Sequence, residues 1–187
     1  MNTLSAIETR YNGIVFRSRM EARWAVFMDE LNIPYQYEPE AFRIGKVNYL
    51  PDFFLPHMDS FLEIKNPVMA ENGREKAKEL AMASKKKVFL ICSPPRVPSF
   101  GDECAEVFER IGDECGGDHP YFWCECPRCF RCELQFDGRA DRIDCRCQKS
   151  KHGDKGYNFD SPRLIRAHQK ASGFRFGGSD FSLPVNT

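Results

Sequence analysis

Three ionisable residues interrupt two of the most apolar stretches of the chain and restrict how those stretches can pair. Asp52 lies in Leu-Pro-Asp-Phe-Phe-Leu, and Glu63 and Lys65 lie in Phe-Leu-Glu-Ile-Lys. Side chains alternate faces along a strand, so Glu63 and Lys65 share one face while Leu62 and Ile64 point to the core. Because a charged group is costly to bury without a partner, we expect a hairpin that brings Asp52 beside Glu63 and Lys65.

This pairing restricts the register of the hairpin. Opposed residues point to the same face of a sheet, so Asp52 must lie opposite Glu63 or Lys65. The turn must then hold an even number of residues, either 57–58 or 57–60. A regular five-residue loop would place Asp52 opposite Ile64 and separate the three groups.

The chemistry of these groups suggests a metal site. Two neighbouring carboxylates repel each other and are stable together when a cation joins them. Carboxylate oxygens suit Mg²⁺ or Mn²⁺, which keep several waters and accept phosphate oxygens. A nearby lysine can orient a metal-bound water, or help to deprotonate it, and neutralise charge on a phosphate. The sequence therefore predicts an apparatus for phosphodiester hydrolysis; the alternative is a cross-strand ion pair on an exposed face, which contributes little to stability.

The residues around the hairpin predict alternating helices and strands. Apolar residues recur at helical spacing in residues 18–31, 71–84 and 102–114. Strands are predicted at 35–38, 42–44, 49–55, 61–65 and 87–92, where aromatic and branched residues are enriched. A helix, a mixed sheet with a hairpin, and then a helix, a strand and a helix form an α/β fold.

The hairpin motif resembles that of the PD-(D/E)xK nucleases, which have the restriction-endonuclease-like fold. Pro51-Asp52 is followed eleven positions later by Glu63-Ile64-Lys65. In that family a helix precedes the hairpin and a helix and a strand follow it, which is the order predicted across residues 10–115. The resemblance therefore implies a restriction-endonuclease-like core.

The resemblance also implies roles for single residues. The ligands that it implies for Mg²⁺ or Mn²⁺ are Asp52, Glu63, Glu21 and the Ile64 carbonyl. Lys65 would lie at the attacking water, and Glu21 would reach the metal from the first helix. Ser18-x-x-Glu21 equally fits a capping box, in which the Glu21 side chain bonds the Ser18 amide.

Six of the nine cysteines cluster in residues 124–147. A Cys-Pro-x-Cys knuckle begins at residue 126 and a Cys-x-Cys pair ends at residue 147, and together with the strand and turn between them they resemble a zinc ribbon. Structural Zn²⁺ takes four thiolate or imidazole ligands, and the preferred set is Cys126, Cys129, Cys145 and Cys147. Because the second pair is shorter than Cys-x2-Cys, the fourth ligand stays open among Cys147, Cys145, Cys124, Cys132 and His152.

A turn-like segment near residues 116–120 divides the chain into a predicted nuclease core, 1–118, and a zinc-ribbon-like module with a C-terminal helix, 119–187. The net charge of zero argues against a general polyanion binder. It conceals an acidic excess in residues 1–115 and a basic excess in residues 116–187. Basic residues interleaved with aromatic ones suit a nucleic-acid surface; the alternative is a solvated rim, since acidic residues lie among them.

These features together predict a Mg²⁺-dependent DNA endonuclease whose zinc module helps to bind duplex or branched DNA. The alternative is a catalytically inactive nucleic-acid or protein interaction module that retains the fold. The N-terminus lacks an apolar export segment, and no apolar stretch reaches the ~18 residues of a membrane span. The resemblance to small phage or mobile-element proteins implies the cytoplasm of a bacterial or phage-infected cell. It is compatible with a dimer or with a subunit of a recombination, packaging or defence complex.

Overall fold

The structure, a computed structural model, describes residues 6–97, 105–117, 120–126, 128–136 and 159–177. The helices are α1 (Arg19–Glu30), α2 (Ala70–Ser84) and α3 (Pro162–Gly173). The strands are β1 (Thr9–Tyr11), β2 (Ile14–Phe16), β3 (Gln36–Tyr37), β4 (Phe42–Ile44), β5 (Val47–Tyr49), β6 (Phe53–Leu55), β7 (Ser60–Ile64), β8 (Lys87–Ile91), β9 (Ala105–Ile111), β10 (Glu114–Gly116), β11 (Pro120–Glu125) and β12 (Cys132–Phe136).

One mixed sheet organises the described residues. Its strands follow the order β12-β11-β9-β8-β7-β6-β3, and β10 pairs with β9 beside this path. β7 and β8 are parallel and are joined through α2, whereas β6 pairs with β7 and β8 pairs with β9 in antiparallel fashion. The pairs β1–β2 and β4–β5 form two separate hairpins. The chain is therefore a mixed α/β protein.

The two faces of the sheet are covered by different elements. On one face, Leu62 and Ile64 of β7 belong to a buried cluster that also contains residues of α1 and α3. On the other face, Phe61 belongs to a second cluster with Leu80 of α2, and Phe42 of β4 packs against this cluster. The predicted inward direction of Leu62 and Ile64 is confirmed, and the opposite face of β7 is left for Glu63.

The three helices of the structure match helices that the sequence predicts. Ser18 is the N-cap of α1, and its side chain accepts a hydrogen bond from the Glu21 backbone N–H. α2 ends at Ser84, and its C-cap Lys85 adopts a left-handed conformation with φ 59°. Ser161 caps α3 by accepting from the Leu164 N–H. The helices predicted at 18–31 and 71–84, and the C-terminal helix, are confirmed.

The helix predicted at 102–114 is wrong. Its described part forms β9 and β10, which pair with each other. Within β9, Ala105 and Val107 join the cluster beneath α1, whereas Phe108 joins the cluster beneath α2. This alternation gives both faces of a strand an apolar partner. β9 also pairs with β8. A helix in its place would leave the backbone N–H and C=O groups on that edge of β8 without partners.

The strand predicted at 49–55 is also interrupted. β5 ends at Tyr49 and β6 begins at Phe53, with Pro51 between them. Proline has no N–H to donate to a strand ladder and is confined to strand edges and ends. The break separates Tyr49, which pairs with β4, from Phe53, which pairs with β3 and β7.

The sheet continues past the predicted domain boundary near residue 118. β11 pairs with β9 and with β12. Trp123 of β11 and Leu134 of β12 share one buried cluster with Leu164 of α3 and with α1. The division into 1–118 and 119–187 stays a prediction, because residues 137–158 of the proposed module lie outside the described residues. None of the helices in the described ranges is long and apolar enough to cross a membrane.

His168 of α3 is buried between aromatic rings of α1. Its ring centroid lies 4.5 Å from that of Phe27 and 6.2 Å from that of Trp24. Within the described structure, its Nδ1 atom has no hydrogen-bond partner. Burial lowers the pKa of His168 from 6.5 to about 4, so the folded protein holds this ring neutral.

We expect this histidine to make the fold sensitive to acid. Between pH 6.5 and about 4 the unfolded chain binds a proton at residue 168 and the folded chain does not. The free energy of unfolding therefore falls as the pH falls through this window, by at most about 3 kcal/mol from this group. His168→Phe keeps the ring packing and should remove this contribution. Urea denaturation of both proteins across the window measures it, and parallel pH dependences would contradict it.

Candidate active site

The hairpin of β6 and β7 brings Asp52 and Glu63 together. Phe53 lies opposite Leu62, and Leu55 lies opposite Ser60. This register puts Asp52 opposite Glu63, and the Asp52 backbone N–H donates to Glu63 Oε1 at 3.2 Å. The predicted even-numbered turn is confirmed, with four residues at 56–59, one position earlier than the predicted 57–60.

Asp52 is 1% exposed, and protein donors surround its carboxylate. Oδ2 accepts hydrogen bonds from the Ile64 backbone N–H at 2.8 Å and from Lys65 Nζ at 2.7 Å. Oδ1 accepts from Arg17 Nη2 at 2.7 Å. Both oxygens are therefore bound by cations of the protein itself.

Glu63 is the most deeply buried of the predicted site residues, with an exposed fraction of 0%. Its Oε2 pairs with Lys65 Nζ at 2.7 Å and also accepts a hydrogen bond from the Tyr49 hydroxyl. Burial, followed by the charge of Asp52, raises the pKa of Glu63, and Lys65 opposes this shift. The alternative of an ion pair on an exposed face does not apply to a carboxylate buried to this extent.

Lys65 bridges the two acids from the end of β7. Burial lowers its pKa, but the charges of Asp52 and Glu63 outweigh burial and raise the pKa of Lys65 above its ordinary value. Its aliphatic stem lies beneath α2 at Gly73, where an added Cβ would come within 3.1 Å of Lys65 Cγ. The glycine therefore lets the helix approach the lysine closely.

Glu21 of α1 lies at the edge of this group. Its carboxylate accepts hydrogen bonds from the Ser18 hydroxyl at 2.8 Å and from the Tyr37 hydroxyl at 2.7 Å. Burial and the charge of Asp52 raise the pKa of Glu21. Ser18 does cap α1, as the capping-box alternative predicts. The Glu21 carboxylate, however, bonds hydroxyl groups and lies within the electrostatic reach of Asp52.

The residue types at this site fit a divalent cation, although the carboxylates are bonded to groups of the protein in this structure. Three carboxylates, Glu21, Asp52 and Glu63, meet two cationic groups, Arg17 and Lys65, so negative charge is in excess. Hard oxygen donors of this kind suit Mg²⁺ or Mn²⁺. Among the described side chains, however, no group of three or more His, Cys, Asp or Glu is arranged to hold a metal ion. A cation would have to replace bonds that the acids now make to the protein.

Three side chains that contact the acids were not predicted from the sequence: Arg17, Tyr37 and Tyr49. Each bonds one of the acids, although the pairs are 35, 16 and 14 residues apart in the chain. Lys76 of α2 lies over the Tyr49 ring, 5.5 Å from its centroid. No motif connects these residues to the acids, because Arg17 lies just before α1, Tyr37 on β3 of the main sheet and Tyr49 on the separate β4–β5 hairpin.

The predicted zinc ligands are described only in part. Cys126 and Cys129 lie in the turn between β11 and β12, where the Cys126 N–H donates to the Arg131 carbonyl and the Phe130 N–H donates to the Cys126 carbonyl, both at 2.9 Å. Cys126 is buried and Cys129 is exposed. The alternative ligands Cys124 and Cys132 lie buried on β11 and β12. The other predicted candidates, Cys145, Cys147 and His152, lie outside the described residues.

The sequence matches no protein-family model, and comparisons with curated proteins and with solved structures returned no match.

The bridging role of Lys65 predicts a large effect on stability. In Lys65→Met, the buried Asp52 and Glu63 face each other without their shared cation, so we expect the free energy of unfolding at pH 7 to fall by about 3 kcal/mol. Asp52→Asn added to this variant should restore part of the loss by removing the repulsion. Urea denaturation measures both effects, with the exposed Lys78→Met as the matched control. A loss in Lys65→Met no larger than in that control would contradict the bridge.

Proposed function

We propose that the chain is a Mg²⁺- or Mn²⁺-dependent deoxyribonuclease of the PD-(D/E)xK class, with a restriction-endonuclease-like core and a zinc module that assists nucleic-acid binding. The observation that carries the proposal is the buried pair Asp52 and Glu63, bridged by Lys65 at one end of a hairpin. Burying two neighbouring acids opposes folding, so a site of this kind calls for a chemical role.

Each residue of the proposed site has a separate task. Asp52, Glu63 and Glu21 would hold the cation through their carboxylate oxygens, with the Ile64 carbonyl as the further ligand that the family resemblance implies. A bound Mg²⁺ supplies an activated water and stabilises charge on the phosphate. Because the charges of Asp52 and Glu63 outweigh burial and raise the pKa of Lys65, this side chain is an ammonium at neutral pH before a cation binds. In the proposed site it would orient the water or the phosphate by donating hydrogen bonds.

The tyrosines would keep the acids in place when a cation binds. The Tyr49 hydroxyl donates to Glu63, and the Tyr37 hydroxyl donates to Glu21. Burial is the main reason that the pKa values of Tyr37 and Tyr49 lie above the ordinary value. Both hydroxyls therefore keep their protons at neutral pH and remain donors, so each fixes one carboxylate oxygen. The second oxygen accepts from the Asp52 N–H in Glu63 and from the Ser18 hydroxyl in Glu21, and a cation would compete with these weaker donors.

We expect the purified protein to cleave DNA in Mg²⁺ or Mn²⁺ and to stop in EDTA. Plasmid, linear and branched DNA are incubated with the protein and the products are separated on gels. Lys65→Ala should slow cleavage by about 100-fold or more, the loss typical when a donor that stabilises the transition state is removed. The matched control is Lys78→Ala, an exposed lysine of α2 that should cleave at the wild-type rate.

Cleavage that persists in EDTA, or that proceeds at the wild-type rate in Lys65→Ala, would contradict the mechanism. Tight binding of DNA with no cleavage of any form would instead favour a catalytically inactive interaction module.

The proposed zinc module leads to a separate prediction about the metal content of the protein. Protein purified without chelators should contain about one Zn²⁺ per chain, held by four side chains. Cys126→Ser should lose the metal and bind DNA more weakly, whereas Cys92→Ser, outside the cysteine cluster, should keep both properties. Elemental analysis measures the zinc content of the three proteins, and a DNA-binding titration measures their affinity. Wild-type protein that lacks zinc would contradict the module.

A further inference from the structure

We propose that Arg17 exchanges partners during the reaction: it leaves Asp52 when a divalent cation binds there, and it then holds a backbone phosphate of the nucleic acid. The inference rests on the proposed function, because it needs both a cation and a phosphodiester substrate. It assigns to Arg17 the positioning of the substrate, a task for which the PD…ExK motif supplies no residue.

The argument begins with the donors that occupy Asp52. The Ile64 N–H belongs to the backbone of β7, and Lys65 is tied to both acids with a side chain that is 21% exposed. Arg17 makes a single ion pair to Asp52, through Nη2, and its side chain is 50% exposed. Arg17 is therefore the donor on Asp52 that can withdraw with the least rearrangement, and its withdrawal opens Oδ1 toward solvent.

Two contacts besides the Asp52 pair hold Arg17 next to the site. The Arg17 backbone N–H donates to the Tyr37 hydroxyl at 2.9 Å. Arg17 Nε pairs with Glu38 Oε1 at 2.6 Å. When Nη2 leaves Asp52, the Glu38 contact and the backbone contact can remain, so the guanidinium stays next to the site.

Glu38 itself is held in an uncommon conformation. Its φ is 48°, in the left-handed region that residues other than glycine rarely adopt. Its backbone N–H donates to the Asp52 carbonyl at 3.0 Å. Such residues persist where their surroundings fix them, and they concentrate at functional sites. Here the conformation fixes the Glu38 carboxylate beside Arg17, which is the second partner that an exchange requires.

Charge explains the direction of the exchange. A divalent cation on Asp52 repels the guanidinium, and a phosphate brought to the cation offers it a new anionic partner. The planar fork of an arginine matches two phosphate oxygens, which a lysine does not. The ligand class is therefore a phosphodiester of a nucleic-acid backbone, bound next to the cation.

The exchange predicts two opposite effects of one substitution. In Arg17→Gln, Mn²⁺ no longer competes with a guanidinium for Asp52, so calorimetry without DNA should show about tenfold tighter Mn²⁺ binding, the size expected for one charge-assisted hydrogen bond. In cleavage assays at saturating Mn²⁺, the same variant should have a higher KM for DNA and a lower kcat/KM. Arg17→Lys keeps the charge without the fork and should fall between the two proteins in both assays.

Arg19→Gln is the matched control. Arg19 is exposed, and its substitution removes the same charge two residues away from Arg17. It should bind Mn²⁺ like the wild type. If Arg17→Gln binds Mn²⁺ no more tightly than Arg19→Gln while the wild type still cleaves DNA, the exchange is wrong and the proposed function stands. If the wild type neither binds Mn²⁺ nor cleaves, the proposed function fails and the exchange fails with it. Should Arg17→Gln not fold, the Arg17→Lys comparison alone decides.

Discussion

The ammonium group of Lys65, placed between two buried carboxylates, is the interaction on which the rest of the site depends. It lies 2.7 Å from an oxygen of Asp52 and 2.7 Å from an oxygen of Glu63. This arrangement needs the hairpin register that puts the two acids opposite each other. It also needs Gly73, which lets α2 approach the lysine stem. Without the shared cation, two like charges would face each other in the interior, where solvent screens them weakly.

Around this bridge, the acids are held by donors that differ in how easily they can leave. Backbone groups or hydroxyls bond each of the three carboxylates. Lys65 also bonds Asp52 and Glu63, and Arg17 bonds Asp52. A divalent cation can replace a cationic side chain, but it cannot replace a backbone N–H. Such an arrangement would let cations exchange while the carboxylates keep their positions, as the proposed metal-dependent phosphodiesterase would require.

Alternation along two short strands was enough to predict the hairpin, its register and the inward direction of Leu62 and Ile64, because a slip of one residue would bury the wrong face. The helix predicted at 102–114 failed because Ala105, Phe108 and Ile111 fit a helical spacing as well as the strand that the edge of β8 selects. Arg17, Tyr37 and Tyr49 were missed because only the folded chain brings them to the acids. Local sequence patterns predict whether most segments form strands or helices, whereas contacts between residues far apart in the chain depend on the tertiary packing.

The most direct measurement is a crystal structure of the protein soaked in Mn²⁺, with the ion located by its anomalous scattering. A metal-dependent phosphodiesterase site predicts a peak within about 2.2 Å of carboxylate oxygens of Asp52 and Glu63, the usual length for small divalent cations bound to oxygen, with Lys65 displaced from at least one of them. A structure at saturating Mn²⁺ in which Lys65 still bridges both acids and no ion binds them would contradict it.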